Sequence, residues 1–202
     1  MSKQLIISIG REFGSGGHVI AEELSKRFDI PLFDHTLLDR IAEDMGIENH
    51  EFKHFDEKPK FSLFHRSVKG HSTSMSEHLV RLQFKFMQKK ADNGESFVIV
   101  GRCAEHHLSH NKNMVTIFVL GNKEEKIKRV MEVYNLTQKE AEAMAKRKDL
   151  ARKTYHNNYC KGKWGDSRNY HLSINSSLLG IEKTIDYIEK YIRERIALNE
   201  EN

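Results

Sequence analysis

The chain has 202 residues, of which 38% are hydrophobic and 31% charged, and its formal net charge is +4. That length suits one domain with a sizeable core and room for an inserted subdomain, and the small positive excess suits an anionic partner without choosing among nucleotide, nucleic acid and membrane surface. Two cysteines exclude a disulfide framework, no apolar run approaches the ~20 residues of a membrane span, and no charged-then-apolar leader opens the chain, so a cytoplasmic protein with reduced thiols is expected.

The run Leu5-Ile6-Ile7-Ser8-Ile9 reads as a buried strand, and the glycine-rich stretch from Gly10 to Gly17 delivers it into a segment of helical period. Gly14, Gly16 and Gly17 can take backbone angles closed to other residues, so successive N–H groups can point at one oxyanion. The helix that follows adds a partial positive charge of about half a unit at the same spot. Set against the phosphate-loop pattern G-x-x-x-x-G-K-[ST], with Gly16 as the last glycine, Arg11 stands where the first glycine belongs and Gly17 where the lysine belongs. Val19 falls close to the place of the metal-binding hydroxyl. The cradle is kept while its usual cation and metal ligand are missing, which leaves His18, Arg11 or Lys3 to supply charge and Ser15 a hydroxyl for metal. A turn that joins strand to helix and binds nothing is the alternative.

Ile20, Leu24 and Phe28 give the first helix one apolar face, and Pro31 stops it. Leu32-Phe33 looks like a very short strand ending at Asp34-His35, and Leu38, Ile41 and Met45 mark another helix with Gly46 as its stop. Periodicity fades between residues 48 and 73, which reads as a mobile or inserted segment, a lid or a partner surface. Ser74-Met75-Ser76-Glu77 has capping-box spacing before a stripe of Leu79, Leu82, Gln83, Phe86 and Met87 that ends near Gly94. Ser96 to Val100 is the second clear buried strand, followed at once by Gly101-Arg102, and Met114 to Leu120 is the third. Ile127, Val130, Met131 and Tyr134 mark a helix, and Thr137-Gln138-Lys139-Glu140 is a capping box that opens a long basic helix reaching about Tyr155. After a turn-rich break at Gly162 to Asp166, Tyr170 to Ile174 reads as the last strand. Ile181, Ile185, Ile188, Ile192 and Ile196 line the closing helix.

Buried strands alternating with amphipathic helices predict an α/β fold in which a central parallel five-stranded sheet carries helices on both faces. Ligands of such sheets bind beyond the carboxyl ends of the strands, where the glycine loop, Asp34, Gly101-Arg102 and the basic helix converge. Phosphoryl transfer needs that inventory, because its transition state spreads negative charge over oxygens and is stabilised by positioned cations. A surface arginine and a solvated basic helix are the plainer readings of Arg102 and of the charge run. Cys103, His107 and His110 would share a helix face and form a competing zinc site.

The loop from Gly10 to Gly17, the segment from Leu32 to Arg40, Val100-Gly101-Arg102 and the run Arg147-Lys148-Asp149-Leu150-Ala151-Arg152 together resemble the cytidylate kinase-like family of nucleoside monophosphate kinases. Tyr155, Trp164-Gly165-Asp166 and Tyr170 to Asn175 continue the likeness over nearly the whole chain. The resemblance implies a single P-loop NTPase-type three-layer α/β/α domain over residues 1–202, with an inserted helical acceptor-binding segment at 35–95 and a basic lid at about 137–169. It implies transfer of the ATP γ-phosphoryl group to CMP, dCMP or a related acceptor, with Mg2+. Arg11, Gly14, Ser15, Gly16, Gly17 and His18 would hold ATP, Asp34, Arg40 and Arg102 the acceptor, and Ser15 would touch the metal. Arg147 and Arg152 would close on the transferring group, with Asp149 orienting one of them.

Cys103 stands where cytidylate kinases carry aspartate. The other readings are a nucleotide-binding regulator without turnover and a kinase acting on another small metabolite. The expected partner is a nucleotide substrate, and a homo-oligomer is open. Membrane is not expected, and nucleic acid is disfavoured because no aromatics interleave the basic helix.

Overall fold

The computed structural model describes residues 4–37, 40–41 and 75–200. The Met45 stripe position, the Gly46 stop, residues 48–73, Lys3 and the Ser74 cap lie outside the described residues. Five strands, β1 (Ile6–Arg11), β2 (Leu32–Phe33), β3 (Phe97–Val100), β4 (Met114–Leu120) and β5 (Leu172–Asn175), form one sheet in the order β2-β3-β1-β4-β5. Every pairing is parallel. β1 lies at the centre, with Ile9 opposite Val100 on one side and Ile117 on the other. A parallel sheet must be covered on both faces, which is why β1, β3 and β4 read as continuous apolar runs rather than alternating ones.

Alternation along each strand divides the core in two. Ile7, Ile9, Val98, Val100, Ile117 and Val119 face α1 (Gly17–Phe28) and α6 (Ser176–Glu200), where Ile20, Leu24, Ile185, Ile188 and Ile192 complete a buried cluster. Ile6, Phe97, Ile99 and Met114 face the other way, against Phe86 and Met87 of α2 (Met75–Asp92) and Ala104 of α3 (Ala104–His107). The result is a three-layer α/β/α domain, as expected. A third cluster joins α4 (Lys123–Tyr134) to α5 (Gln138–Tyr159) through Ile127, Val130, Ala141 and Ala145, and Phe13 from the glycine loop plugs into it.

Boundaries move for identifiable reasons. β1 runs past Ile9 because Gly10 and Arg11 still pair with Phe118 and Val119, so Arg11 is the last strand residue and not the first of the loop. β5 starts at Leu172, later than expected, because the Tyr170 N–H is donated to the Ser167 carbonyl in a tight turn. α5 opens on the expected capping box, the Thr137 N–H donating to Glu140 Oε2 at 2.9 Å, and continues to Tyr159. Gly180, at φ 75°, breaks α6 near its start.

Candidate functional site

Arg11 ends β1 on the same face as Ile7 and Ile9, and two glycines make room for it. A Cβ at Gly17 would lie 2.6 Å from the Arg11 Cβ, and one at Gly101 would strike the Arg11 Nη1. The guanidinium therefore lies between the glycine loop and the turn after β3. Burial, and then the like charges of Arg152 and Arg102, pull its pKa well below the ordinary arginine range, while Asp34 and Asp149 oppose this incompletely. Arginine keeps its proton at neutral pH, so the site holds a cation that its protein neighbours do not fully compensate.

The loop is held by groups that its own sequence does not announce. Gly14 and Gly16 are left-handed, at φ 81° and 79°. The first intrahelical bond of α1 runs from Ile20 N–H to the Gly16 carbonyl, so the amides of Gly17, His18 and Val19 precede the helical ladder. Glu12 accepts hydrogen bonds from Lys126 Nζ at 2.8 Å and from the Gly121 N–H at 3.1 Å. Arg129 donates to the Gly14 carbonyl, and Ser176 Oγ to the Ser15 carbonyl at 2.6 Å. Ser15 itself is fully buried and its hydroxyl donates to the Glu12 carbonyl at 2.9 Å. That hydrogen bond braces the loop from within.

α5 lies across the loop. Asp149 Oδ1 accepts from the Phe13 N–H at 2.6 Å, and Arg152 Nη1 donates to the Arg11 carbonyl at 3.3 Å while standing 3.6 Å from Asp149. The Arg152 guanidinium also sits over the Phe13 ring, 5.3 Å from its centroid. Burial raises the Asp149 pKa against the opposing hydrogen bond from Phe13 and the charge of Arg152. It lowers that of Arg152 against Asp149. Arg147, expected beside Arg152, is exposed.

Asp34 follows β2 and is buried. Burial alone would raise its pKa, but hydrogen bonds from His18 Nε2 at 2.8 Å and from the Thr36 N–H and hydroxyl, both at 2.9 Å, hold it down at about 2. His35 adds a second imidazole at 2.9 Å. His18, read as part of the loop, is thus tied to the carboxylate that follows β2. Arg40 is exposed and stacks on Phe33, 5.5 Å from its centroid.

Gly101, Arg102 and Cys103 form a run of three left-handed residues, at φ 74°, 61° and 57°. Left-handed backbone costs roughly 1–2 kcal/mol for each residue with a Cβ, and such strain collects where a side chain must be aimed. Here it leaves Arg102 near enough to lower the Arg11 pKa and carries Cys103 inward. The competing zinc set does not assemble: Cys103 is buried at the start of α3, His107 stacks on Phe84 at 3.5 Å between centroids, and exposed His110 meets Gln88.

The profile of the cytidylate kinase-like family matches residues 6–178, which takes in every element from β1 into α6. The chain belongs to the cytidylate kinase-like family. An uncharacterized protein from Eubacterium ventriosum ATCC 27560 has a similar structure, with TM-score 0.75 and 42% identity over 94% of this chain and 99% of that one. Shikimate kinase from Bacteroides thetaiotaomicron matches at TM-score 0.53 and 12% identity, over 94% of this chain and 98% of its own. A sugar kinase from Janibacter sp. HTCC2649 matches at TM-score 0.52 and 14% identity, over 94% and 95%. These two likenesses establish the fold of this cytidylate kinase-like protein as that of P-loop kinases. No curated protein matches the chain. No described helix is long and apolar enough to cross a membrane.

Glu12, Phe13, Lys126, Arg129 and Ser176, which brace the loop, went unseen in the sequence. Their partners lie up to 161 positions away, and only the Glu12 and Phe13 positions inside the glycine stretch carried any local signal.

Proposed function

We propose that this cytidylate kinase-like protein transfers the γ-phosphoryl group of ATP to CMP, dCMP or a related acceptor, with Mg2+ as metal cofactor. Its single domain would take the acceptor on segment 35–95 and close residues 137–169 as a lid. The observation that carries the reading is the grouping of Arg11, Arg102 and Arg152 at the carboxyl end of the sheet, where Arg11 and Arg152 are taken from water and Arg152 and Arg102 both depress the pKa of Arg11. Like charges packed together and taken from water are unfavourable unless an anion joins them.

The roles follow from chemistry. Gly14, Gly16 and Gly17 with the first amides of α1 receive polyphosphate oxygens, and Arg11 supplies the charge that a loop lysine supplies elsewhere. Arg102 offers a planar fork to the acceptor phosphate, and Asp34, kept ionised by His18 and Thr36, takes hydrogen bonds from the acceptor with Arg40 nearby. Arg152 stabilises charge on the transferring group, and Asp149 sets its position. Arg147 is exposed and would join them only on lid closure. Ser15 is the loop hydroxyl expected to meet a magnesium ion, a cation that usually keeps waters and substrate phosphates as its other ligands. When bound, Mg2+ neutralises charge on the phosphoryl oxygens.

The test is ADP release by purified protein with ATP and Mg2+ across a panel of CMP, dCMP, UMP, AMP and shikimate. Turnover with a cytidine acceptor is expected, and no ADP above background with any acceptor overturns the reading. A second reading, a nucleotide-binding regulator without turnover, is favoured by the Phe13 amide already engaged with Asp149. Calorimetric ATP binding with no transfer would select it.

A further inference from the structure

Beneath the C-terminal end of α5 lies a cluster of donor side chains that the proposed phosphotransfer does not use. Glu105 of α3 reaches the sheet, where Ser8 Oγ donates to its Oε2 at 3.4 Å. Its Oε1 meets His156 Nε2 at 2.9 Å, and the two side chains are 5% and 6% exposed. Cys160 caps α5 one turn beyond His156, and its N–H donates to the His156 carbonyl at 2.8 Å. Donor atoms of Glu105, His156 and Cys160 all lie within 4.8 Å of one another. The Cys103 thiol lies close to Cys160, which places a second sulfur at the edge of the group.

Two features need a reason. His156 Nδ1 is buried and makes no hydrogen bond of ordinary geometry. A carboxylate and an imidazole are packed together out of water beside a partly exposed thiol, where apolar side chains would fill the space at lower cost. Sulfur, nitrogen and oxygen donors in one set are the ligands zinc takes, and its bonds of about 2.0–2.3 Å bring tetrahedral donors to roughly 3.5 Å from one another. From the present spacing that requires each donor to move by less than about 1 Å.

We propose that Cys160, His156 and Glu105 form a binding site for a borderline-soft divalent cation of the zinc class. The ion would clamp the end of α5, the helix that carries Arg152, to the turn that carries Arg102. One other donor group among the described residues, His18, Asp34 and His35, contains no sulfur, so the two sites are spectroscopically distinct.

The test is titration of the chelator-treated, reduced full-length protein with Co2+ as a spectroscopic stand-in, followed by competition with Zn2+. A thiolate-to-cobalt charge-transfer band with d–d bands of tetrahedral intensity is expected, displaced by Zn2+. Cys160→Ser and His156→Gln should each weaken binding at least tenfold, with circular dichroism confirming that the variants are folded. In unmodified protein, stoichiometric Zn2+ should also slow alkylation of Cys160, read by peptide mass mapping, which requires no variant. Absence of the sulfur band, unchanged affinity in folded Cys160→Ser, or unprotected Cys160 overturns the proposal. None of these readouts involves phosphotransfer, so they stand apart from the kinase assay.

Discussion

Arg11→Met separates a cation kept for binding from one kept for stability. Methionine retains the stem that packs between Gly17 and Gly101 and removes the guanidinium. That guanidinium is held well below the ordinary arginine range, at about 9, first by burial and then by Arg152 and Arg102. At about 1.4 kcal/mol for each tenfold change, the full difference sets an upper bound of about 5 kcal/mol. Replacing buried charge by an apolar side chain of similar volume stabilises by about 1–4 kcal/mol in known cases, and the lower half of that range is expected here. For a domain of this size this raises the melting temperature by roughly 2–10 °C. The same variant should lose most of the thermal shift that ATP gives the parent protein. Differential scanning fluorimetry with and without nucleotide measures both quantities. A destabilised Arg11→Met that keeps the full ATP shift would refute the idea that Arg11 is an uncompensated cation held for phosphate.

Other consequences can be measured on the same protein. Arg102→Ala should raise KM for the acceptor at least tenfold while leaving KM for ATP within about twofold, and equal losses would remove Arg102 from the acceptor site. Arg152→Lys keeps the charge but loses the bidentate fork and the stacking on Phe13, so kcat should fall at least tenfold; a parental rate would take it out of the catalytic set. Asp34 has a depressed folded pKa of about 2, so its contribution is complete above about pH 4 and is lost as the pH falls toward 2. Denaturant unfolding across that window should show a loss of about 1–2 kcal/mol that is absent from Asp34→Asn. Gly101→Ala places a Cβ against the Arg11 guanidinium at φ 74° and should lower stability by about 1–3 kcal/mol, seen as a shifted urea midpoint at constant m.

The layered architecture was legible because it follows from short-range rules. Near-continuous apolar runs at Ile6–Ile9, Phe97–Val100 and Met114–Leu120 are the mark of doubly covered strands, and the isoleucines of α6 repeat at helical spacing. The Thr137 capping box is a four-residue event, and it forms as read. Boundaries were less legible where a single hydrogen bond decides them, as at Tyr170, whose amide turns back to Ser167.

What the amino-acid order determined by itself was therefore the alternation of strand and helix, the glycine loop at its head, and the presence of arginines after successive strands. The tertiary structure alone decided that Arg11 points into the site, because that depends on two further registers of pairing with β4 and on glycines 6 and 90 positions further along the chain. It decided likewise that Ser15 faces inward, that His18 serves Asp34, and that Cys103 lies near Cys160 while His107 stacks on Phe84. Periodicity reports which face of an element avoids water, whereas the partner of a polar group is set by which distant segment packs beside it, and local sequence carries no record of that.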